Sequence, residues 1–210
     1  MKKIMFNDRF GLEAGAIKGR KTMTRRIATY DEIKNPQVGF LTDQPERGTC
    51  VICDGCRIVA KSLYKLGEIV AIAQSYEVMA NSGYLNIMME GPATFKKEYT
   101  GAGWSNKMFV RADLMPHQIQ FTDIKAERLQ DISDEDCIKE GIYFNPNPPK
   151  WREYDPYEPW PPHVKPYKFT TIHGYCKPQF AFAHLINAVS GKCTWELNPW
   201  VFAYSYELVK

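Results

Sequence analysis

The chain has 210 residues, 44% of them hydrophobic, enough to bury a core without a disulfide framework or structural metal. A single domain over residues 1–210 is expected. Its 27 Lys and Arg against 24 Asp and Glu leave a net charge of +3, which excludes the uniform positive field of a histone-like tail and confines any nucleic-acid site to a local patch.

The N-terminal Met1-Lys2-Lys3-Ile4-Met5-Phe6-Asn7-Asp8 carries charge where a secretory signal needs about 7 to 15 apolar residues. The best apolar run, Phe180 to Val189, contains His184 and Asn187 and falls short of the roughly 18 residues of a membrane helix. A soluble, cytoplasmic protein without a membrane partner is expected. The six cysteines, half of them at Cys50, Cys53 and Cys56, do not form an extracellular disulfide pattern and suit a reducing compartment.

Lys3 to Phe6 reads as a short strand, and Phe10, Leu12, Ala14 and Ile17 recur at mixed helical spacing before Gly19, a helix stop. Thr22 to Ile27 alternates Thr22, Thr24 and Arg26 against Met23, Arg25 and Ile27, the pattern of a strand with one drier face. Residues 28–65 lack periodicity and read as a long excursion. Ile69 to Ala73 is a β-branched apolar run and a core strand. Irregular sequence returns over 77–105. Phe109-Val110-Arg111 and Ile119 to Leu129 have strand patterning.

Ser133 followed by Asp134, Glu135 and Asp136, with Gly141 beyond, predicts a short capped helix over Asp134 to Glu140. A third irregular insertion spans 143–177, and its Asn145 to Pro166 portion holds eight prolines, which favour extended geometry over regular structure. Pro178 to Ser190 places Phe182, Leu185, Ile186 and Val189 on one helical face before Gly191, and Trp200 to Leu208 alternates as a final strand. No internal repeat occurs. Strands joined by loops and short helices, without regular βαβ alternation, predict an α+β domain with a mixed or closed sheet.

The segment Gly19-Arg20-Lys21-Thr22-Met23-Thr24-Arg25-Arg26 interleaves four cations with two threonine hydroxyls, chemistry suited to phosphate and nucleic-acid backbones. A solvated basic turn is the alternative. Gly-Arg-Lys-Thr-x-Thr after a short helix resembles the motif of ASCH domains, a small-barrel family related to the PUA RNA-binding fold. Leu66 to Gln74, Glu127 to Ser133 with Glu140-Gly141-Ile142, and Asn198-Pro199-Trp200-Val201 follow in order and resemble the phage- and prophage-associated ASCH subgroup. The resemblance spans most of the chain. It implies a PUA-like mixed β-barrel with short flanking helices and long inserted loops. It further implies RNA or a modified nucleoside as ligand, no cofactor, and a phage or mobile-element origin.

A small bacterial member of the family is an amidohydrolase acting on N(4)-acetylcytidine, and its Lys, Thr and Glu resemble Lys21, Thr24 and Glu140. The resemblance thereby implies Thr24 as nucleophile, Lys21 as its base and Glu140 as proton relay. For this Lys21 has to shed its proton near neutrality, and Arg20, Arg25 and Arg26 are expected to favour that by repulsion. Residues three apart on a regular strand point to opposite faces, so Lys21 and Thr24 can share a pocket only if the chain turns at Lys21. Thr22 is the competing nucleophile. Binding of RNA or a nucleoside is the first expectation; removal of an acyl group by Lys21, Thr24 and Glu140, and a protein-interaction role, are the alternative functions.

Arg20, Thr22, Arg25 and Arg26 are candidate ligand-binding residues, joined by Trp104 and Arg111 as stacking planes for a base. The insertion's Trp151, Tyr154, Tyr157 and Trp160 offer an aromatic and proline surface for a protein partner over 145–166. Cys50, Cys53 and Cys56 have thiolate spacing but no adjacent fourth ligand, so a metal site would need Cys137, Cys176, Cys193, His163 or His173 brought in by the fold. A loop of free thiols is the simpler expectation.

Overall fold

In a computed structural model of the chain, the residues described are 1–29, 49–54, 57–84, 102–144, 167–168 and 177–210. Their main sheet has five strands, β1 (Lys3–Ile4), β2 (Met23–Ile27), β5 (Ile69–Ile72), β6 (Gln118–Arg128) and β9 (Trp200–Leu208), in the order β1-β5-β6-β9-β2. β1 runs parallel to β5 and the remaining neighbours are antiparallel. A hairpin of β3 (Val51–Asp54) and β4 (Arg57–Lys61) stands apart, as does the two-residue pair β7 (Tyr143–Phe144) and β8 (Tyr167–Lys168). Five helices complete the described fold: α1 (Leu12–Ile17), α2 (Tyr76–Asn81), α3 (Asp134–Lys139), α4 (Pro178–Ser190) and α5 (Thr194–Leu197).

The α+β class is as expected, but the sheet is open. β1 and β2 are its two edges, with no ladder between them among the described residues. A two-residue β1 offers too few backbone groups for a closing ladder. One side chain spans the gap instead: Arg26 Nη2 on β2 donates to the carbonyl of Met5, just beyond β1, at 2.6 Å.

β9 is central, paired with β6 on one side and β2 on the other. Although its sequence alternates, Trp200 to Tyr204 are all buried. Phe202 and Tyr204 enter a core with Ile4, Phe6, Ile72 and Phe121, where Tyr64 stacks on Phe121 at 4.7 Å between ring centres. Val201 faces the other way, into a cluster with Leu129, Ile142, Phe182 and Leu185 under α4. Both faces are therefore covered. Each large apolar side chain so buried contributes about 1.5–3 kcal/mol.

Three stretches depart from expectation. The excursion over 28–65 contains the β3–β4 hairpin, whose cue is Asp54-Gly55 between β-branched runs, a turn dipeptide. The stretch over 77–105 overlaps α2, whose N-cap Ser75 accepts from the Val78 N–H. Phe109 to Arg111 is not a strand: Lys107–Phe109 and Ala112–Leu114 are single 3-10 turns, the first capped by Asn106. Two β-prone residues, Phe109 and Val110, are too few to outweigh that cap. Asn145 to Pro166, with its four aromatics, lies outside the described residues. No described helix is long and apolar enough to cross a membrane.

Candidate active site

The site begins where α1 ends. Gly19 takes a left-handed φ of 69°, open to glycine at little cost, and the chain reverses so that the N–H groups of Arg20 and Lys21 both donate to the Gly15 carbonyl. This reversal carries the Lys21 side chain inward before β2 starts at Met23. Lys21 is thus off the strand, and the facing conflict with Thr24 disappears. Both line one cleft.

Glu140 arrives from the C-cap of α3, which Ser133 caps through the Asp136 N–H. The Lys21 ammonium donates to the Met23 carbonyl at 2.7 Å, the Glu140 carbonyl at 2.9 Å and Glu140 Oε2 at 2.5 Å. Three acceptors use all three N–H of an ammonium. The pair is buried, with 2% and 5% of the two side chains exposed. Burial is the largest influence on Lys21 and holds its pKa below the ordinary value; the Glu140 carboxylate opposes, and Arg26 and Arg25 add repulsion. Desolvation, rather than the neighbouring arginines, is the dominant cause.

Arg25 is enclosed by carboxylates. Its Nε and Nη2 donate to Glu127 at 2.8 and 2.6 Å, Nη2 also to Asp136 at 3.1 Å, and Nη1 to Glu140 at 3.2 Å and the Met23 sulfur at 3.2 Å. These contacts match the five N–H of a guanidinium. Register explains the convergence. Ala203 on β9 lies between Arg25 on β2 and Lys125 on β6, and its methyl leaves room for both cations to reach Asp136 Oδ2, at 3.1 and 2.9 Å.

A cleft of about 420 Å³ opens over this network. Lys21, Thr24, Arg25, Arg26 and Glu140 form its polar side, and Phe182, Leu185, Ile186 and Val189 of α4 its apolar wall. Thr24 is buried, and its hydroxyl makes no hydrogen bond among the described residues. The arrangement combines a hydroxyl free to react or bind, a buried amine–carboxylate pair able to exchange a proton, and an apolar wall for a flat or acyl group.

No family model, curated protein or solved structure matches this chain.

The other candidates are dispersed. Arg20 is exposed over the Tyr143 ring at 5.8 Å, outside the cleft. Thr22 is half-buried and engaged through its backbone, donating to Lys139 and accepting from Tyr206. Arg26 lies in the cleft wall. Trp104 is half-buried beside α2, where its carbonyl accepts from Glu77, and Arg111 is exposed and paired with Asp113. Neither meets the Lys21 cleft.

Cys50 packs in the core, whereas the side chains of Cys53 and Cys56 lie outside the described residues, with Cys176, His163 and His173. Among the described residues no group of three metal-ligating side chains forms. Cys137 is buried, its thiol pushed up to about 12 by burial, and Cys193 is exposed elsewhere.

Sequence reasoning missed Glu127, Asp136 and the α4 wall. The wall had a signal: Val189 extends the face of Phe182, Leu185 and Ile186 past the core and is 38% exposed. The two carboxylates had none, because Glu127 reaches Arg25 through the pairing of β2, β9 and β6, and Asp136 through the docking of α3.

Proposed function

We propose that the chain is an ASCH-type amidohydrolase that removes an acyl group from a modified nucleoside such as N(4)-acetylcytidine. The observation that carries the reading is the buried Lys21–Glu140 pair on a cleft that Thr24 also lines. The open sheet bridged by Arg26 is, in this reading, a PUA-like domain whose barrel is not closed. The phage or mobile-element origin and cytoplasmic setting belong to the same proposal.

Chemistry starts with the Lys21 proton passing to Glu140, which leaves a neutral amine in the desolvated site. Thr24 Oγ attacks the amide carbonyl as its proton moves to Lys21 Nζ. Collapse of the tetrahedral adduct breaks the C–N bond, and Lys21 returns the proton to the departing amino group. Water, deprotonated by Lys21, then cleaves the threonyl ester, releases the carboxylic acid and restores Thr24.

The test is incubation of the purified protein with a panel of N-acylated nucleosides, followed by chromatography of the free nucleoside. Turnover that disappears in Lys21→Met supports the reading; no turnover across the panel removes it. A second reading, nucleoside or RNA binding without turnover, has its own support: all three Lys21 donors are already used by the protein. It predicts saturable, salt-dependent binding with no product.

A further inference from the structure

A second cleft, of about 430 Å³, lies on the far side of Arg26. The two clefts share Met5, Arg26 and Ile27, so Arg26 and its bond to the Met5 carbonyl form the ridge between them. Their charge balance differs. Around the first cleft, Lys21 and Arg25 are neutralised by Glu127, Asp136 and Glu140. The second is lined by Lys3, Arg26 and Lys61, and among the described residues no carboxylate lines it.

None of these three cations has an ion-pair partner among the described residues. The Lys3 ammonium is held by the carbonyls of Lys107, Met108 and Val110, which fix its charge in place without cancelling it. Lys61 is exposed. Arg26 Nε is buried with no hydrogen-bond partner. A buried N–H without an acceptor is unfavourable, and an anionic oxygen beside the guanidinium would offset that. Exposed Leu63 and Ile27 give the mouth of the cleft apolar sides.

We infer that the second cleft is a phosphate subsite, so that the ligand spans the Arg26 ridge: a nucleoside in the Lys21 cleft with its phosphate between Arg26 and Lys61. The preferred ligand is then a nucleotide, free or at the end of a strand, rather than a bare nucleoside. The nucleoside half rests on the proposed function; the phosphate half stands on the second cleft alone.

Calorimetry on the full chain with cytidine, its 5′- and 3′-monophosphates, the dinucleotide CpC and inorganic phosphate tests both halves. One monophosphate binds about tenfold or more tighter than cytidine, as expected for charge-assisted bonds. Lys61→Gln brings that ratio towards one, and inorganic phosphate competes with the monophosphate. A dinucleotide binding as well as the better monophosphate marks a strand terminus as the source; one binding tenfold weaker marks the free nucleotide. Either outcome supports the subsite.

If cytidine does not bind but inorganic phosphate does, with loss in both Lys61→Gln and Arg26→Gln, the subsite stands and the nucleoside reading falls. Equal affinity for cytidine and both monophosphates, or no binding of phosphate in any form, overturns the inference.

Discussion

Lys21 and Glu140, separated by 119 residues in the chain, meet at 2.5 Å inside the protein. The contact joins the turn after α1 to the end of α3 and ties a catalytic proposal to the stability of the fold. Glu140→Gln leaves a buried ammonium beside a neutral partner, and urea denaturation is expected to show a loss of about 3–5 kcal/mol. Lys21→Met combined with Glu140→Gln removes the uncompensated charge and costs less than the sum of the single changes. Additive losses would show that the two groups do not interact.

Thr24→Val separates chemistry from stability. The hydroxyl has no hydrogen bond among the described residues, so its replacement by a methyl of similar shape changes stability by no more than about 1 kcal/mol. Turnover of an acylated nucleoside is expected to vanish. Retained activity would exclude Thr24 as nucleophile and return Thr22 to consideration.

Ala203 provides a packing test of the carboxylate cage. Ala203→Leu inserts bulk between Arg25 and Lys125, parts both from Asp136, and is expected to destabilise the fold by about 1–3 kcal/mol. Unchanged thermal stability would show that the space between the two cations tolerates the larger side chain.

Two carboxyl groups give the stability–pH profile limbs of opposite sign. Burial tends to raise the Asp136 pKa, but hydrogen bonds from Lys125 and Lys139, with the charges of Lys125 and Arg25, hold it at about 2 against an ordinary 3.8. Its contribution is complete above 3.8 and is lost as pH falls through about 2. Glu13 is raised from 4.5 to about 7 by burial and its hydrogen bond with Asp8, with Lys107 opposing at 2.7 Å. The folded state keeps that proton, so Glu13 favours folding most below 4.5 and the benefit declines as pH rises through about 7. Urea midpoints across pH are expected to flatten below 3.8 in Asp136→Asn and between 4.5 and 7 in Glu13→Gln.

Local signals were the legible part. Gly19 marked the end of α1, Ser133 the start of α3, and the β-branched run at Ile69 the strand β5. Asp54-Gly55 was legible too, but was submerged in a stretch without periodicity. Phe109 to Arg111 was misread because β propensity over three residues is weaker than the side-chain cap that Asn106 supplies.

The basic segment Arg20 to Arg26 shows where sequence stops. Its residue types announce cations and hydroxyls, and nothing in their order separates them. The fold divides them by direction: Arg20 to the surface, Lys21 and Arg25 into ion pairs, Thr24 to the cleft, Arg26 to the ridge between two clefts. The sequence alone determined the ends of α1 and α3, the strand β5 and which residues carry charge, because propensity and caps act over a few neighbouring positions. Only tertiary structure decided which charges are neutralised, because Glu127, Asp136 and Glu140 reach Lys21 and Arg25 through strand register and helix docking more than 100 residues away.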